Sequence, residues 1–457
     1  MADLSIDFAG IKSPNPFWLA SAPPANSGFQ VNRAFEAGWG GAVWKTIGAP
    51  VLNVSNRYGA WHYSGQKMLA MNNVELISDR PLEINLREIA DVKRNWPDRA
   101  VIVSAMVEST FEAWRDIIHK IEDTGADGIE LNYGCPHGMS ERGMGAAVGQ
   151  VPEYCEKITR WVMESARIPV IVKLTPNVAS VLPPARAAVA AGANALSLIN
   201  TINSICGVDL DTLEISPNIG GKGGHGGYAG PAVKPVALHL LSTLGADPTV
   251  RLPISGMGGI STWKDAAEFL LLGASSLQVC TAVMHYGFRI IEDLCDGLSN
   301  WMDAKGFRTI DEVVGKSLTR ISDFKDFDLS FRAVARIDES KCIKCDMCYV
   351  ACNDTAHQCI DLLRGGLAVE PGAYNIRSNG RQDAVATRPL PTVREVDCVG
   401  CRLCYNVCPV DDCIRMIELA PLRPPITWDQ LSASNPKVTE DWEAMKEYRE
   451  RMGIHIH

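Results

Sequence analysis

The sequence predicts an α/β chain: a closed (β/α)8 barrel with a smaller α+β domain behind it. Three observations carry the prediction. The first 305 residues alternate short apolar runs with longer amphipathic ones. Eight such runs occur there, and eight repeats in roughly 250–300 residues are the size of a closed barrel. The C-terminal third then repeats one cysteine spacing twice. At 457 residues, 46% of them hydrophobic, the chain exceeds one ordinary core and has the material for more than one.

The predicted strands are Phe17-Trp-Leu-Ala-Ser21, Gly41-Ala-Val-Trp-Lys-Thr46, Val101-Ile-Val-Ser-Ala105 and Gly128-Ile-Glu-Leu-Asn132, then Val170-Ile-Val-Lys-Leu174, Ala195-Leu-Ser-Leu-Ile-Asn200, Pro253-Ile-Ser-Gly256 and Ser276-Leu-Gln-Val-Cys280. Near-continuous apolar strands joined by helices imply a parallel sheet covered on both faces. Helical patterns lie between them, such as Phe111–Glu122 and the run from Trp263 to Leu272, and Gly125, Gly192, Gly245 and Gly273 suit helix C-termini. A doubly wound open sheet is the alternative, but no strand opens the G-x-G-x-x-G turn of that fold.

Barrel chemistry sits at the C-terminal ends of strands. This chain places Ser21, Lys45, Thr46, Asn132, Cys135, Lys173, Asn200 and Thr201 there. Polar groups ending apolar strands make poor core, so they mark a site. Two lysines at different strand ends would meet one anion or electron-rich ring, whereas either alone reads equally well as a solvated rim charge. After strand seven comes Gly256-Met-Gly-Gly-Ile260, ahead of a helix starting near Ser261-Thr262, and Cys280-Thr-Ala282 follows strand eight. Bare backbone N–H groups with a helix N-terminus behind them form the phosphate cradle typical of these two loops. The run Gly220–Gly227 reads as a flexible loop after strand six that brings Gly230 near the phosphate.

Strand four leads into Asn132-Tyr-Gly-Cys-Pro-His-Gly-Met-Ser-Glu-Arg-Gly-Met-Gly145. Pro136 ends the strand, and Gly138, Gly143 and Gly145 allow the loop to bend. A single thiol at the mouth of a strand, under a hinged polar loop, is well placed to donate a proton. A buried structural thiol is the plain alternative.

A polar connection spans residues 306–333, and a second domain 334–420. Its runs are Cys342-x2-Cys345-x2-Cys348-x3-Cys352 and Cys398-x2-Cys401-x2-Cys404-x3-Cys408-Pro409. This is the spacing of bacterial ferredoxins with two [4Fe–4S] clusters, in which the fourth cysteine of each run ligates the other cluster. The crossed sets are therefore Cys342, Cys345, Cys348 and Cys408, and Cys398, Cys401, Cys404 and Cys352. Zinc also takes C-x2-C pairs, but the doubled x2-x2-x3 spacing speaks against it. Cys359 and Cys413 fall outside the runs and read as core thiols. The tail, 421–457, is proline-rich and then charged, and ends in Ile454-His-Ile-His457, which reads as a frayed end.

The remaining bounds are negative. A net charge of −9 argues against nucleic acid and anionic membrane as partners. Acids near the amino terminus do not suit a signal peptide, and no apolar stretch approaches the roughly 20 residues that span a bilayer. The expected location is cytoplasmic, where clustered cysteines point to metal rather than disulfides.

These parts form one circuit. Clusters pass single electrons, reduction of a polarised C=C bond needs a hydride and a proton, and a flavin converts between them. Its phosphate suits the cradle of loops seven and eight, and Cys135 is the candidate acid.

The segments Asn15-Pro-Phe-x-Leu-Ala-Ser21, Asn73-Val-Glu-Leu-Ile-Ser78, Asn132-x-x-Cys-Pro-His-Gly-Met-x-Glu-Arg-Gly-Met-Gly145, Lys173-Leu-Thr-Pro-Asn-Val178 and Leu277-Gln-Val-Cys280, with both cysteine runs, resemble the dihydropyrimidine dehydrogenase family. The resemblance covers that enzyme's barrel and C-terminal ferredoxin part, which is also the separate catalytic subunit of bacterial two-subunit forms. It implies FMN in the barrel and reversible reduction of uracil or thymine at the 5,6 double bond, with Cys135 as general acid. By the same resemblance Ser21, Lys45, Thr46, Lys173, Gly230, Met257, Gly258, Gly259, Cys280 and Thr281 would hold FMN. Asn73, Glu75, Asn132, Asn200 and Thr201 would hold the pyrimidine. Amides and a carboxylate suit a ring that presents two carbonyls and two N–H groups.

Gly134 departs from the pattern, since the large enzyme has Ser before its cysteine; the loop after Thr201 differs in detail too. The large enzyme's FAD and NADPH domains have no counterpart in this sequence, which implies a FAD- and NAD(P)H-binding flavoprotein partner and a hetero-oligomer. Two other readings compete. A dihydroorotate dehydrogenase-type enzyme shares barrel, FMN and often a catalytic cysteine, but carries no fused double ferredoxin. A non-catalytic electron-transfer module would use the barrel as scaffold, against which the Cys135 loop and the strand-end amides speak.

Overall fold

The computed structural model describes residues 2–63, 65–135, 143–355, 357–369, 388–421 and 426–451. The chain divides into two compact units, Met1–Ile321 and Ser322–His457.

The first unit is a closed barrel. Its strands are β1 (Phe17–Leu19), β2 (Gly41–Ile47), β3 (Ala100–Ala105), β4 (Gly128–Asn132), β5 (Val170–Lys173), β6 (Ala195–Leu198), β7 (Ile254–Met257) and β8 (Ala274–Val279). They pair in sequence order around the ring, and β8 closes on β1. Every pairing is parallel. Each of the eight predicted runs is a barrel strand. Residues of β2 and β3 are buried throughout, which is why these strands read as unbroken apolar runs.

The intervening helices are amphipathic. Along Phe111–Glu122, Trp114, Ile117, Ile118 and Ile121 are buried, the i, i+3, i+4, i+7 stripe of a helix lying on a sheet. Thr110 caps it by accepting the Ala113 N–H. Trp263–Leu271 opens with a capping box between Thr262 and Asp265. Gly125, Gly192 and Gly273 all carry positive φ, as expected past helix ends. Gly245 does not end its helix, which runs Lys234–Ala246. It is small because an added Cβ would lie 3.0 Å from the Leu272 carbonyl and 3.1 Å from the Leu318 side chain.

Two long loops, after β2 and β6, join above the barrel in an antiparallel sheet of order Ile202–Ser204, Gly226–Ala229, Gln66–Asn73, Tyr58–Tyr63. The glycine run expected as a flexible loop thus ends in a paired strand. Gly226 and Gly227 are required there, because added Cβ atoms would lie 2.2 Å from Asn72 Oδ1 and 2.3 Å from Thr201 Oγ1. The expected connection 306–333 is divided as well. Ile310 and Val313 are wholly buried in the barrel core, so residues to Ile321 belong to the first unit.

In the second unit Arg332–Ile337 pairs along its whole length with Ile414–Leu419. Leu367–Ala368, Ile360–Arg364 and Leu390–Val393 make a second small sheet. The short helices Met347–Asn353 and Leu403–Val407 carry Cys348, Cys352 and Cys404. The loops before them twist alike: Lys344 and Asp346, and at matching places Gly400 and Arg402, all have positive φ. Among the described residues of the tail are the short helices Trp428–Ser434, Pro436–Glu440 and Trp442–Arg451. The terminal His tract lies outside the described residues, as do Pro136 and Gly138 of the Cys135 loop.

Candidate active site

The C-terminal ends of the barrel strands and the antiparallel sheet above them line an open cavity of about 170 Å³. All sixteen barrel residues named from the sequence line it: Ser21, Lys45, Thr46, Asn73, Glu75, Asn132, Cys135, Lys173, Asn200, Thr201, Gly230, Met257, Gly258, Gly259, Cys280 and Thr281. Parallel strands in register explain the convergence. Asn132 on β4 stands beside Lys173 on β5, and Lys173 beside Ser197 on β6.

One wall is a hydroxyl and amide network. Thr46 Oγ1 lies 3.1 Å from Ser21 Oγ and 2.9 Å from Ser104 Oγ, and accepts the Asn132 amide at 3.0 Å. Asn132 Oδ1 in turn accepts the Gly134 N–H at 3.2 Å and the Asn200 amide at 2.9 Å. Asn200 Oδ1 accepts the Thr201 N–H. On the opposite side Asn73 donates to the Gly227 carbonyl and accepts the Glu75 N–H. Each amide is thereby oriented before any ligand arrives.

Charge is arranged in two pairs. Glu75 is held by the Lys45 ammonium and the Tyr58 hydroxyl, with Arg57 3.6 Å away. Burial and the Glu75 carboxylate push the Tyr58 phenol well above its ordinary range. Deeper in the barrel Lys173 lies 3.3 Å from Glu130, which also accepts Ser197 Oγ and Gln278 Nε2 at 2.9 Å each. Burial pushes the Cys280 thiol up to about 12, so it is a neutral group near pH 7. Cys135 packs with Ile77, Met106 and Met144 in a small apolar cluster that faces the cavity.

Both loops expected to cradle a phosphate line the cavity. Gly258 and Gly259 adopt φ of +124° and +84°, and Gly230 +101°, conformations at the cavity that favour glycine. The helix behind them is already capped, because Asp265 Oδ2 accepts the Ser261 and Thr262 N–H groups. The backbone from Gly258 to Ile260 and at Thr281 is what the loops offer an anion.

The residues fit a flavin by these tests. Gln278 Oε1 is buried at the cavity wall without a hydrogen-bond partner, an acceptor suited to a ring N–H. Two lysines, Lys45 and Lys173, face the same space as these loops.

In the second unit the eight run cysteines fall into two groups. One cavity is lined by Cys352, Cys398, Cys401 and Cys404, the other by Cys342, Cys345, Cys348 and Cys408. Cys359 joins the first and Cys413 the second. Gly400 must be glycine, since a Cβ would come within 2.5 Å of the Ala333 carbonyl.

Three cavity groups, and Glu130 buried beside Lys173, were not foreseen. Tyr58 and Tyr228 come from the strands above the barrel, whose pairing leaves no local signal. Glu130 and Gln278 were readable, each a polar residue inside an apolar run.

Residues 4–302 match the family described as dihydroorotate dehydrogenase, and residues 335–416 the 4Fe-4S dicluster domain. The NAD-dependent dihydropyrimidine dehydrogenase subunit PreA of Escherichia coli (strain K12) is 41% identical over 361 residues, which is 79% of this chain and 87% of that protein. The chloroplastic dihydropyrimidine dehydrogenase (NADP(+)) of Arabidopsis thaliana is 39% identical over 336 residues, 71% of this chain and 79% of that one. The catalytic subunit of dihydroorotate dehydrogenase B (NAD(+)) of Pyrococcus abyssi is 35% identical over 319 residues, 69% of this chain and 99% of that one. No helix among the described residues is long and apolar enough to cross a membrane.

Proposed function

Because the chain belongs to the dihydroorotate dehydrogenase family, and within it sides with the dihydropyrimidine dehydrogenase subunits, we propose that it reduces the 5,6 double bond of uracil or thymine, reversibly. One observation carries this reading: Cys135 and the side chains of Asn73, Glu75, Asn132, Asn200 and Thr201 face a single cavity that two lysines also line.

A uracil ring offers alternating carbonyl and N–H groups along its edge. The Asn amides pair with both kinds at once, and the carboxylate of Glu75 takes an N–H. Ser21, Lys45, Thr46, Lys173, Gly230, Met257, Gly258, Gly259, Cys280 and Thr281 would hold FMN, which supplies the hydride for C6 when bound. Lys173 and Lys45 stabilise negative charge as it grows on the ring systems. The Cys135 thiol delivers its proton to C5 and is left as thiolate, to be reprotonated before the next turnover. The apolar contacts of Cys135 with Met106 and Met144 keep bulk water from competing for that proton.

Two [4Fe–4S] clusters would supply one-electron transfer, the first held by Cys342, Cys345, Cys348 and Cys408, the second by Cys398, Cys401, Cys404 and Cys352. A separate FAD-containing subunit oxidises NAD(P)H. Turnover of uracil, thymine and dihydroorotate with such a subunit tests the proposal. Reduction of the two pyrimidine bases and inertness toward dihydroorotate is the expected result; the reverse preference would overturn it.

A further inference from the structure

The second unit holds more sulfur than its two runs require. Cys359 and Cys413 stand outside the runs, yet each lines one of the two cysteine cavities. The Cys413 thiol donates to the Asp338 carbonyl at 3.7 Å and also bonds to Cys408 and Cys342. Cys359 has its contacts among the run cysteines. Its sulfur lies 3.5 Å from that of Cys352, its N–H donates to Cys352 Sγ at 3.4 Å, and its thiol also bonds to Cys398.

The two neighbouring sulfurs come from different elements. Cys352 sits in the last turn of the helix Met347–Asn353. Cys359 is fixed by the sheet: its carbonyl accepts the Arg394 N–H at 2.7 Å, and the next residue, Ile360, pairs with Val393. Both are buried, at 6% and 4% exposure, so solvent does not compete with them for a metal. A cubane cluster needs one thiolate per iron. Cys398, Cys401 and Cys404 provide three, and two thiols then stand side by side where the fourth is needed.

We propose that Cys359 is a reserve ligand, able to replace Cys352 on the cluster held with Cys398, Cys401 and Cys404. This rests on the cluster reading above. The exchange is thiolate for thiolate. Cys359 loses its proton and bonds the iron, Cys352 leaves the iron and takes a proton, and no electron is gained or lost.

The test compares iron and sulfide content and the spin-resonance spectrum of the reduced protein for wild type, Cys352→Ala, Cys359→Ala and the double variant. Each single variant should keep the full wild-type iron content, and the double variant should lose half. Flavin content and the spectrum of the other cluster should stay unchanged throughout. In Cys352→Ala, mapping by thiol alkylation should find Cys359 protected until the iron is chelated. Iron loss from Cys352→Ala alone, of half or more, would overturn the proposal, as would an alkylated Cys359 in that variant while iron is retained. Wild type without iron would instead overturn the cluster reading, and this inference with it.

Discussion

The Glu130 carboxylate meets the Lys173 ammonium at 3.3 Å inside the barrel, with their side chains 0% and 6% exposed. Neither charge has water to fall back on. Removing one partner of a buried pair leaves the other uncompensated and costs about 3–5 kcal/mol, whereas removing both costs less. Glu130→Gln keeps the size and can keep the Ser197 contact, so it isolates the charge. It should lower barrel stability by about 3 kcal/mol or more, and Lys173→Met added to it should recover part of the loss. Denaturant midpoints followed by tryptophan fluorescence measure both; an unchanged midpoint for Glu130→Gln would remove the argument.

Glu130 also marks what a sequence can and cannot convey. The eight strands were legible because burial on both faces leaves runs such as Val101-Ile-Val and Val170-Ile-Val with no polar interruption. Their C-terminal residues were legible as a site because a parallel barrel brings all strand ends to one mouth. Tyr58 was not, since it reaches Glu75 through a hairpin whose register depends on partners far along the chain. Gly245 misled because a helix-ending glycine and a glycine kept small by packing look alike in sequence. Asp265 was readable as part of a capping box with Thr262, and it is the reason the helix behind Gly259 does not offer its first amides.

The missing side chain at position 134 is a consequence of packing. A Cβ on Gly134 would lie 2.4 Å from the Asn200 amide nitrogen and 2.5 Å from its Cβ. Gly134→Ser or Gly134→Ala must therefore displace Asn200 and break its bond to Asn132. Losing one oriented hydrogen bond is worth roughly 0.5–1.5 kcal/mol. Uracil should bind about 3- to 10-fold more weakly, with FMN content unaltered. Titration of the two variants with uracil checks this, and unchanged affinity would place Asn200 outside the substrate site.

Burial pushes the Cys155 thiol up to about 12, and Cys280 and Cys295 likewise. An unfolded thiol titrates near 8.5. The folded state therefore holds protons that the unfolded state gives up, and this stabilisation is complete below about pH 8.5 and lost as pH rises toward the folded value. The thermal midpoint of the barrel should not fall on this account between pH 6 and 8, and should fall above pH 9. Cys155→Val, at a wholly buried position, should make the alkaline fall shallower. A slope unaffected by that change would show that other groups control it.

NADH or NADPH alone should leave the chain oxidised. The letters G-x-G-x-x-G do occur at Gly221–Gly226, but there the chain enters the strand Gly226–Ala229 and not the helix that a dinucleotide needs. Bleaching of the flavin should appear only when a FAD-containing partner is added. Rapid bleaching of the isolated chain by either nucleotide would contradict this.

The last prediction concerns Cys135. If its thiol protonates C5 while hydride arrives at C6, Cys135→Ala should lose the protonation step and keep the site. General acid catalysis typically contributes roughly 10²–10⁴-fold, so kcat should fall by that order. Cys135→Ser should recover little, because a hydroxyl is a far weaker acid near neutral pH. Uracil affinity should hold, since Asn73, Asn132 and Asn200 are held in place by Gly227, Thr46 and each other, with no bond to Cys135 needed. Iron and FMN should be retained. A merely structural thiol in the cluster of Ile77, Met106 and Met144 predicts the opposite pattern: stability shifts while turnover stays near normal. Measuring kcat, uracil Kd, cofactor content and thermal midpoint on both variants separates the two, and near-normal turnover of Cys135→Ala would end the assignment.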